Sequence, residues 1–181
     1  MMLSSSKITG LVKASFLLSA LLSLLLLAGC DHAPEIVQIS GSKFGTSYHI
    51  TIVADQPAPA DLAEQIDGAL DVVDLAMSTY KSDSELSLFN RQAVGEEAVA
   101  SAGLWTVLQT SRQIWQHSAG AFDPTVGPLV DLWGFGPVVT DGRIPSQDEI
   151  DQALTNSGFE YLLISVENKL VGKKLPIRLD L

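Results

Sequence analysis

The chain of 181 residues contains a single cysteine, only three histidines and no internal repeat. One cysteine excludes an intramolecular disulfide, so a folded domain must be stabilised by its core even in an oxidising compartment. The usual phosphate-binding, dinucleotide-binding, zinc-protease and serine-hydrolase motifs are missing. His32, His49 and His117 are scattered, and no spacing of His, Cys and Asp is typical of a metal site. The sequence therefore identifies no catalytic residue and no metal ligand by motif alone.

Positive charge is also scarce. Eleven Lys and Arg against 21 Asp and Glu give a net charge of −10. Residues 1–29 hold two lysines and no acid, so the charge of the remaining chain is −12. An acidic domain repels nucleic acid and anionic lipid headgroups, so we expect no nucleic-acid partner. A phosphate ligand would need help from a cation such as a divalent metal ion.

The longest apolar run lies at the N-terminus. Lys7 and Lys13 precede an almost wholly apolar segment over 14–28, and small residues then lead to Cys30. This pattern predicts a secretory signal, and the run is short for a membrane span. The alternative is an uncleaved N-terminal helix with an incidental cysteine.

The end of this segment resembles a bacterial lipoprotein signal, in which Cys30 becomes the lipidated first residue of the mature chain. Several acyl chains at one terminus would anchor the protein stably. Asp31 resembles the signal that keeps such lipoproteins in the inner membrane. We therefore predict a signal peptide over 1–29, a lipidated tether over 30–35 and a domain over 36–181. The expected location is the periplasmic face of the inner membrane.

Apolar periodicity predicts the first elements of the domain. Residues 36–39 and 47–53 are typical of two strands of a hairpin, with Gly41 and Gly45 bracketing the turn. A helix follows from Leu62, with Asp61 and Glu64 as its capping pair. Ser82 and Glu85 are expected to cap a short second helix, and Ser101 begins a third. Tyr80, between the first two helices, could pack in the core or stack on an aromatic ligand.

The C-terminal part alternates again between helix and strand signals. Ser146 and Glu149 form a predicted capping box, and 161–166 with 169–171 are typical of a second hairpin. Residues 177–181 resemble a buried strand. The element order predicts an α+β fold with a mainly antiparallel sheet and packed helices. Because the chain stops inside an apparent strand, we expect an incomplete, C-terminally truncated domain.

The segment from Gly120 to Gly136 has the most unusual composition. It holds four of the 14 glycines and two of the eight prolines, interleaved with Phe122, Trp133 and Phe135. We predict a shaped, partly buried loop that is neither a regular helix nor an ordinary strand. Such loops often bind ligands, although a packed loop without a ligand fits the pattern equally well.

Two acids of this segment have structural explanations. Asp123 can form a local side-chain turn ahead of Pro124. Asp131 is expected to face water.

Four sequence motifs carry a family resemblance. They are Phe44-Gly45-Thr46, Met77-Ser78-Thr79-Tyr80 with 84–90, 120–130 with 132–136, and Leu179-Asp180-Leu181. In order and spacing they resemble the ApbE family, the FAD:protein FMN transferases once called thiamine-biosynthesis lipoproteins. The resemblance implies Mg²⁺-dependent transfer of the FMN half of FAD to a threonine hydroxyl of an acceptor protein, with AMP leaving. It implies acceptors among subunits of sodium-translocating quinone reductase and related electron-transport complexes.

The resemblance also implies a flavin site. By position, its six residues are Phe44, Tyr80, Ala121, Phe122, Asp123 and Asp180. Aromatic rings offer stacking faces, a carboxylate accepts hydrogen bonds from ring N–H groups, and a small side chain admits the ligand. The family commonly has Met at the first position, so Phe44 is expected to change packing more than binding.

The family's metal ligands and proposed base lie beyond the part of the family that this sequence resembles. We therefore expect the 181 residues to bind FAD but to transfer FMN poorly or not at all. Two alternatives stay open. One is a non-enzymatic flavin-binding periplasmic lipoprotein, which needs only the stacking loop and Asp180. The other is a solute-binding or scaffold lipoprotein in which the glycine-rich loop only packs.

Overall fold

A computed structural model describes residues 34–181, which divide into two compact units. The smaller unit comprises 34–39 and His49–Pro59, and the larger comprises Ser40–Tyr48 and Ala60–Leu181. The predicted signal peptide and Cys30 lie outside the described residues. The proposed boundaries at 29/30 and 35/36 stay predictions.

The predicted first hairpin is confirmed, with a tighter turn than expected. Strands β1 (Glu35–Lys43) and β2 (Thr46–Ala54) form a two-stranded sheet in which half-buried and exposed residues alternate. Only Phe44 and Gly45 connect them. Gly41 lies within β1, where an added Cβ would come within 2.6 Å of the Tyr48 hydroxyl oxygen. A close approach of a ring therefore explains this glycine, and a turn does not.

Five α-helices occur in the described part of the larger unit. They are α1 (Leu62–Met77), α2 (Glu85–Arg91), α3 (Ala102–His117), α4 (Gly127–Leu132) and α5 (Gln147–Leu154). A 3-10 turn over Phe159–Tyr161 follows them. Within 34–181, no helix combines the length with the apolar character that crossing a membrane requires.

The larger unit also contains a three-stranded antiparallel sheet. Its strands are β3 (Glu97–Val99), β4 (Leu162–Ser165) and β5 (Leu170–Lys173), in the order β3-β5-β4. The β4–β5 hairpin was predicted, whereas β3 was not, because three exposed residues are too few to show alternation. The α+β class with mainly antiparallel pairing is confirmed.

The core of the larger unit lies between this sheet and the helices α2 and α3. It consists of Leu86, Phe89, Ala100, Leu104, Leu108, Phe159, Leu162, Val171, Ile177 and Leu179. Trp115 packs against it, with its ring stacked on Phe159 at 5.3 Å between centroids. The predicted strand at 177–181 forms only one parallel bridge, between Arg178 and Val126. Ile177 and Leu179 are nevertheless fully buried, so the apolar pattern correctly predicted burial there.

The capping box predicted for Ser146 and Glu149 is confirmed at α5. At α3, which was predicted to begin at Ser101, the Ser101 side chain also accepts a hydrogen bond from Leu104 N–H. Asp61 occupies the first position before α1, but its side chain makes no capping hydrogen bond. The predicted Asp61 cap is therefore wrong.

The predicted cap of α2 is also wrong. Ser84 caps this helix by accepting from Ser87 N–H, and Ser82 lies two residues outside. The Glu85 carboxylate accepts instead from Ser101 N–H at 2.6 Å. A capping pattern considers only residues that are three positions apart. It therefore cannot predict the hydrogen bond between Glu85 and Ser101.

The glycine-rich segment contains α4, which corrects the prediction that it holds no regular helix. Pro128 lies in the first turn, where its missing N–H leaves no hydrogen bond unmade. An added Cβ on Gly127 would lie 2.6 Å from the carbonyl oxygen of Arg178. Glycine is needed there because another part of the backbone approaches closely.

Candidate functional site

Phe44 occupies the tip of the β1–β2 hairpin beside Gly45. Their φ angles are 54° and 75°, and two consecutive positive values are what a two-residue type I′ turn requires. Glycine adopts such angles readily, whereas a bulky residue there is uncommon and strained. The ring of Phe44 is 52% exposed. A bulky, exposed residue with a strained backbone does little to stabilise the turn that contains it. Such backbone strain is typical of a functional position.

Lys43 fixes this tip onto α1. Its Nζ lies 3.0 Å from Asp67 Oδ1 and 3.0 Å from Asp71 Oδ1. The two carboxylates are four residues apart, so they face the same side of the helix. Hydrogen bonds to Asp67 and then to Asp71 raise the pKa of Lys43 above its ordinary value. The strained turn is thus held in place by charge from the neighbouring helix.

Tyr80 follows α1 in a turn built by Ser78. The Ser78 hydroxyl accepts hydrogen bonds from the backbone N–H groups of Tyr80 and Lys81, both at 3.2 Å. The Tyr80 side chain is 71% exposed, and its hydroxyl donates to the carbonyl of Phe135 at 3.0 Å. Of the two alternatives left by the sequence, the core position is excluded. The ring is exposed but anchored at its polar end.

Asp180 is positioned by backbone pairing with the glycine-rich segment. Gly127 N–H donates to the carbonyl of Arg178 at 3.1 Å, and Asp180 N–H donates to the carbonyl of Pro124 at 2.9 Å. These bonds continue the parallel bridge around Val126. The segment that carries Asp180 is therefore in fixed register with the segment that follows Asp123.

The electrostatic surroundings of Asp180 favour its neutral form. Burial raises the pKa of Asp180, the nearby carboxylate of Asp131 raises it further, and the Arg178 guanidinium opposes both effects. Arg178 forms an ion pair with Asp131. Asp131 is 9% exposed, so the prediction that it faces water is wrong. Its burial is tolerated because the guanidinium pairs with its charge.

The predicted flavin contacts of the glycine-rich loop lie just after α3. Ala121 and Phe122 are exposed, and the Phe122 N–H is held by the Ser118 hydroxyl at 3.1 Å. Asp123 Oδ1 accepts from the N–H and the hydroxyl of Thr125, at 2.9 and 2.6 Å. The predicted side-chain turn is thus confirmed.

The second carboxylate oxygen of Asp123 accepts from Phe159 N–H at 3.0 Å. Both oxygens are therefore already engaged with the protein. A flavin N–H would have to use a remaining lone pair of the same carboxylate. Its predicted contact with flavin stays a prediction.

One open cleft brings together three of the six predicted flavin residues. It measures about 880 Å³ and is lined by Phe44, Tyr80 and Asp180, with apolar Val73 and Met77 beside them. Ligand sites commonly enclose about 300–1,000 Å³.

Ala121, Phe122 and Asp123 lie outside the lining of this cleft. They connect to it through the hydrogen bond between Asp180 and Pro124. The two groups of predicted flavin residues are therefore neighbours along one paired backbone.

Lys81 is a cleft residue that the sequence analysis did not single out. It lines the same cleft, and its Nζ lies 2.7 Å from Asp74 Oδ2. A cation beside an exposed aromatic residue is notable in so acidic a chain. The sequence already showed Lys81 next to Tyr80, shortly after the end of a predicted helix.

Lys173 and Asn90 were also missed. Lys173 is 3% exposed, and its ammonium donates to the carbonyls of Phe89, Asn90 and Ile177 at 3.2, 3.0 and 3.4 Å. Burial, followed by the charge of Arg178, lowers the pKa of Lys173. No local pattern predicts a buried lysine, because its acceptors come from distant parts of the chain.

The candidate site contains no evident protein cage for a metal ion. Within 34–181, no group of three or more His, Cys, Asp and Glu side chains lies close enough to hold one. His117 ends α3 at an exposed position.

Comparisons with known proteins agree with this architecture. The model of the ApbE family matches residues 44–181. An FAD:protein FMN transferase of Vibrio cholerae is 41% identical over 162 residues, which cover 88% of this chain and 48% of the relative. An enzyme of the same name from Escherichia coli K12 is 37% identical over 177 residues, covering 91% and 50%.

A solved structure is similar as well. The flavin transferase ApbE from Vibrio cholerae superposes with a TM-score of 0.76 at 36% identity, covering 81% of this chain and 48% of that one. The chain therefore spans about half the length of the curated relatives that it matches. The family match over most of the sequence, together with the shared fold, shows that this chain belongs to the ApbE family.

Proposed function

We propose that this protein transfers the FMN half of FAD to a threonine hydroxyl of an acceptor flavoprotein. The hydroxyl oxygen bonds to the phosphorus of the FMN half while the anhydride P–O bond breaks. AMP leaves with the bonding electron pair, and the hydroxyl proton is released. The observation that carries the proposal is the cleft that unites Phe44, Tyr80 and Asp180. Relatives named FAD:protein FMN transferase support it.

The described residues account best for the binding of FAD. Phe44 and Tyr80 expose ring faces on which the isoalloxazine or the adenine can stack. Asp180 offers a carboxyl group to a ring N–H or a ribose hydroxyl. Lys81 lines the same cleft as an ammonium donor, and it is paired there with Asp74. Binding therefore depends on side chains from the hairpin tip, the turn after α1 and the segment at 178–181.

Phosphoryl transfer also requires that negative charge be neutralised at the reacting phosphate. We propose Mg²⁺ for this purpose, since the chain after residue 29 carries a net charge of −12. The described residues do not fit a complete metal site, because within 34–181 no group of three or more His, Cys, Asp and Glu side chains lies close enough to hold an ion. No step is therefore assigned to a metal held by these residues.

We further propose that Cys30 is lipidated and holds the protein at the periplasmic face of the inner membrane. The basic start, the apolar run and the small residues before Cys30 support this proposal. Membrane fractionation of wild type and of Cys30→Ser tests it. Equal membrane association of the two proteins would contradict it.

The acceptors that we propose are flavoprotein subunits of sodium-translocating quinone reductase or of related electron-transport complexes. The relatives' names imply only an acceptor protein, and the particular complexes follow from the family resemblance. A periplasmic location would restrict the acceptors to domains exposed on that side of the membrane.

Intact-mass spectrometry tests the transfer directly. A threonine-bearing acceptor domain is incubated with FAD, Mg²⁺ and the full-length protein. We expect the acceptor to gain one FMN, and an acceptor with that Thr replaced by Val to gain none. Failure to modify an acceptor that a related transferase does modify would contradict the proposal. Binding of FAD without transfer would then favour a flavin-binding lipoprotein.

A further inference from the structure

Asn90 pairs with the backbone of the segment that carries Asp180. Leu179 N–H donates to Asn90 Oδ1 at 2.7 Å, and Asn90 Nδ2 donates to the Leu179 carbonyl at 2.9 Å. A single amide side chain thus satisfies both polar groups of one residue, as a neighbouring strand would. Leu179 itself is 1% exposed, so these groups would otherwise be buried without partners.

The other edge of the same segment pairs with the glycine-rich segment. Arg178 O and Asp180 N–H make the hydrogen bonds to Gly127 and Pro124 described above. The backbone N–H and C=O of Leu179 therefore point to one side of the segment, and Arg178 C=O and Asp180 N–H point to the other. The groups on both sides have hydrogen-bond partners. On the Leu179 side, no strand in the described part of the chain pairs with the segment. Asn90 provides the hydrogen-bond partners there.

Lys173 holds Asn90 in turn. Its buried ammonium donates to the backbone carbonyl of Asn90 at 3.0 Å and to the carbonyl of Ile177 at 3.4 Å. The same group thus contacts the residue that clamps Leu179 and the start of the clamped segment. Neither Asn90 nor Lys173 lines the cleft that contains Asp180.

We propose that Asn90 is a positioning residue for flavin binding. It fixes the register of 178–180, and so holds the Asp180 carboxyl in the cleft before FAD arrives. This inference rests on the proposed function, because it assigns Asp180 a contact with FAD. Preorganisation of this kind raises affinity by removing the cost of ordering the site on binding.

The main test compares Asn90→Asp with Asn168→Asp in the full-length protein. Aspartate keeps the size and the acceptor for Leu179 N–H, but it places an oxygen against the Leu179 carbonyl. We expect the Kd for FAD, measured by flavin fluorescence, to rise about tenfold, the size expected for one buried polar group left unpaired. Asn168 is exposed in the turn between β4 and β5, so its variant should bind FAD like wild type.

A second comparison separates positioning from a general loosening of the fold. If Asn90 acts through Asp180, the effect of Asn90→Asp should shrink in an Asp180→Asn background. If the fold-changes in Kd of the two single variants multiply in the double variant, the inference is overturned. It is also overturned if Asn90→Asp binds FAD as tightly as wild type. Absence of FAD binding by wild type would overturn the proposed function as well, which distinguishes the two failures.

Hydrogen exchange gives a test that needs no variant, should Asn90→Asp fail to fold. In wild type without FAD, the amides of Leu179 and Asp180 should already exchange slowly, because Asn90 and Pro124 accept from them. Exchange at the rate of free peptide until FAD is added would show that the segment is ordered by the ligand. That result would overturn the positioning role of Asn90.

Discussion

Asp180 combines partial burial with a carboxyl group that the fold does not favour in its charged form. Its raised pKa means that the folded state binds a proton more tightly than the unfolded chain does. The unfolded state therefore binds fewer protons between the ordinary Asp pKa and the raised one, and stability falls as pH rises through that window. The cost of the charged carboxylate is therefore largest at pH values above that window. A group retained at such a cost is typical of a binding site.

Replacing Asp180 with Asn should separate stability from function. We expect the melting temperature of Asp180→Asn at pH 7 to equal or exceed that of wild type, and this advantage should vanish in acid. Affinity for FAD should fall about tenfold, since the Asn side chain replaces one carboxyl oxygen with an N–H donor and a hydrogen bond to FAD is lost. Thermal melts at several pH values and FAD titrations check both expectations. A variant that loses stability at pH 7 and binds FAD normally would show that Asp180 is structural.

Phe44 illustrates a second kind of cost at the level of one residue. Its φ angle of 54° is unfavourable for a bulky side chain, and Asn would suit the same turn better. The sequence placed Phe44 at a bend, and the structure adds that the ring is exposed at the cleft. The departure from the Met that the family resemblance leads one to expect therefore alters an exposed side chain and leaves the buried core unchanged.

At the scale of elements, α2 depends on a small network of serines. Ser84 is fully buried, caps α2 through Ser87 N–H, and donates to the carbonyl of Ser78 at the end of α1. Ser87 donates to the same carbonyl at 3.1 Å. The start of one helix is thus tied to the end of another, and the turn that carries Tyr80 lies between them.

Ser84→Ala should therefore destabilise the protein, whereas Ser82→Ala should not. The first change removes a cap and leaves a buried carbonyl with fewer donors, which costs about 1–3 kcal/mol. Ser82 is exposed and lies outside the helix. Chemical denaturation of the two variants provides a matched comparison. Equal losses of unfolding free energy would indicate that the sequence-predicted cap at Ser82 is the real one.

At the scale of the whole molecule, the larger unit holds all six predicted flavin residues, contributed by segments far apart in the sequence. Its core is shared by α2, α3, β4, β5 and the residues at 177–179. The cleft is therefore assembled by folding of the whole unit, and ligand binding should be linked to its global stability.

FAD should consequently raise the unfolding temperature of the protein in a concentration-dependent manner. At a free concentration one hundred times its Kd, a ligand that binds only the folded state adds about 2.7 kcal/mol of stability. Differential scanning calorimetry with FAD, and with FMN as a control that lacks the AMP half, measures this effect. If FAD caused no shift at any concentration, the cleft would not be a flavin site.

Sequence patterns alone predicted the elements with strong periodicity, the α+β class, the capping box at Ser146, and the burial of Ile177 and Leu179. These features depend on residues close together in the chain, whose spacing is visible without a structure. The sequence motifs also indicated the family, and the family resemblance gave the six candidate flavin residues.

Which of these residues come into contact depends on tertiary packing. The buried Asp131–Arg178 pair, the three carbonyls around Lys173 and the clamp of Asn90 on Leu179 join groups that local sequence patterns do not connect. β3 was too short to show a pattern, and α4 was hidden by Gly127 and Pro128. A polar group pairs with the partner that lies near it once the core has formed, and which groups lie near each other depends on how the whole chain packs.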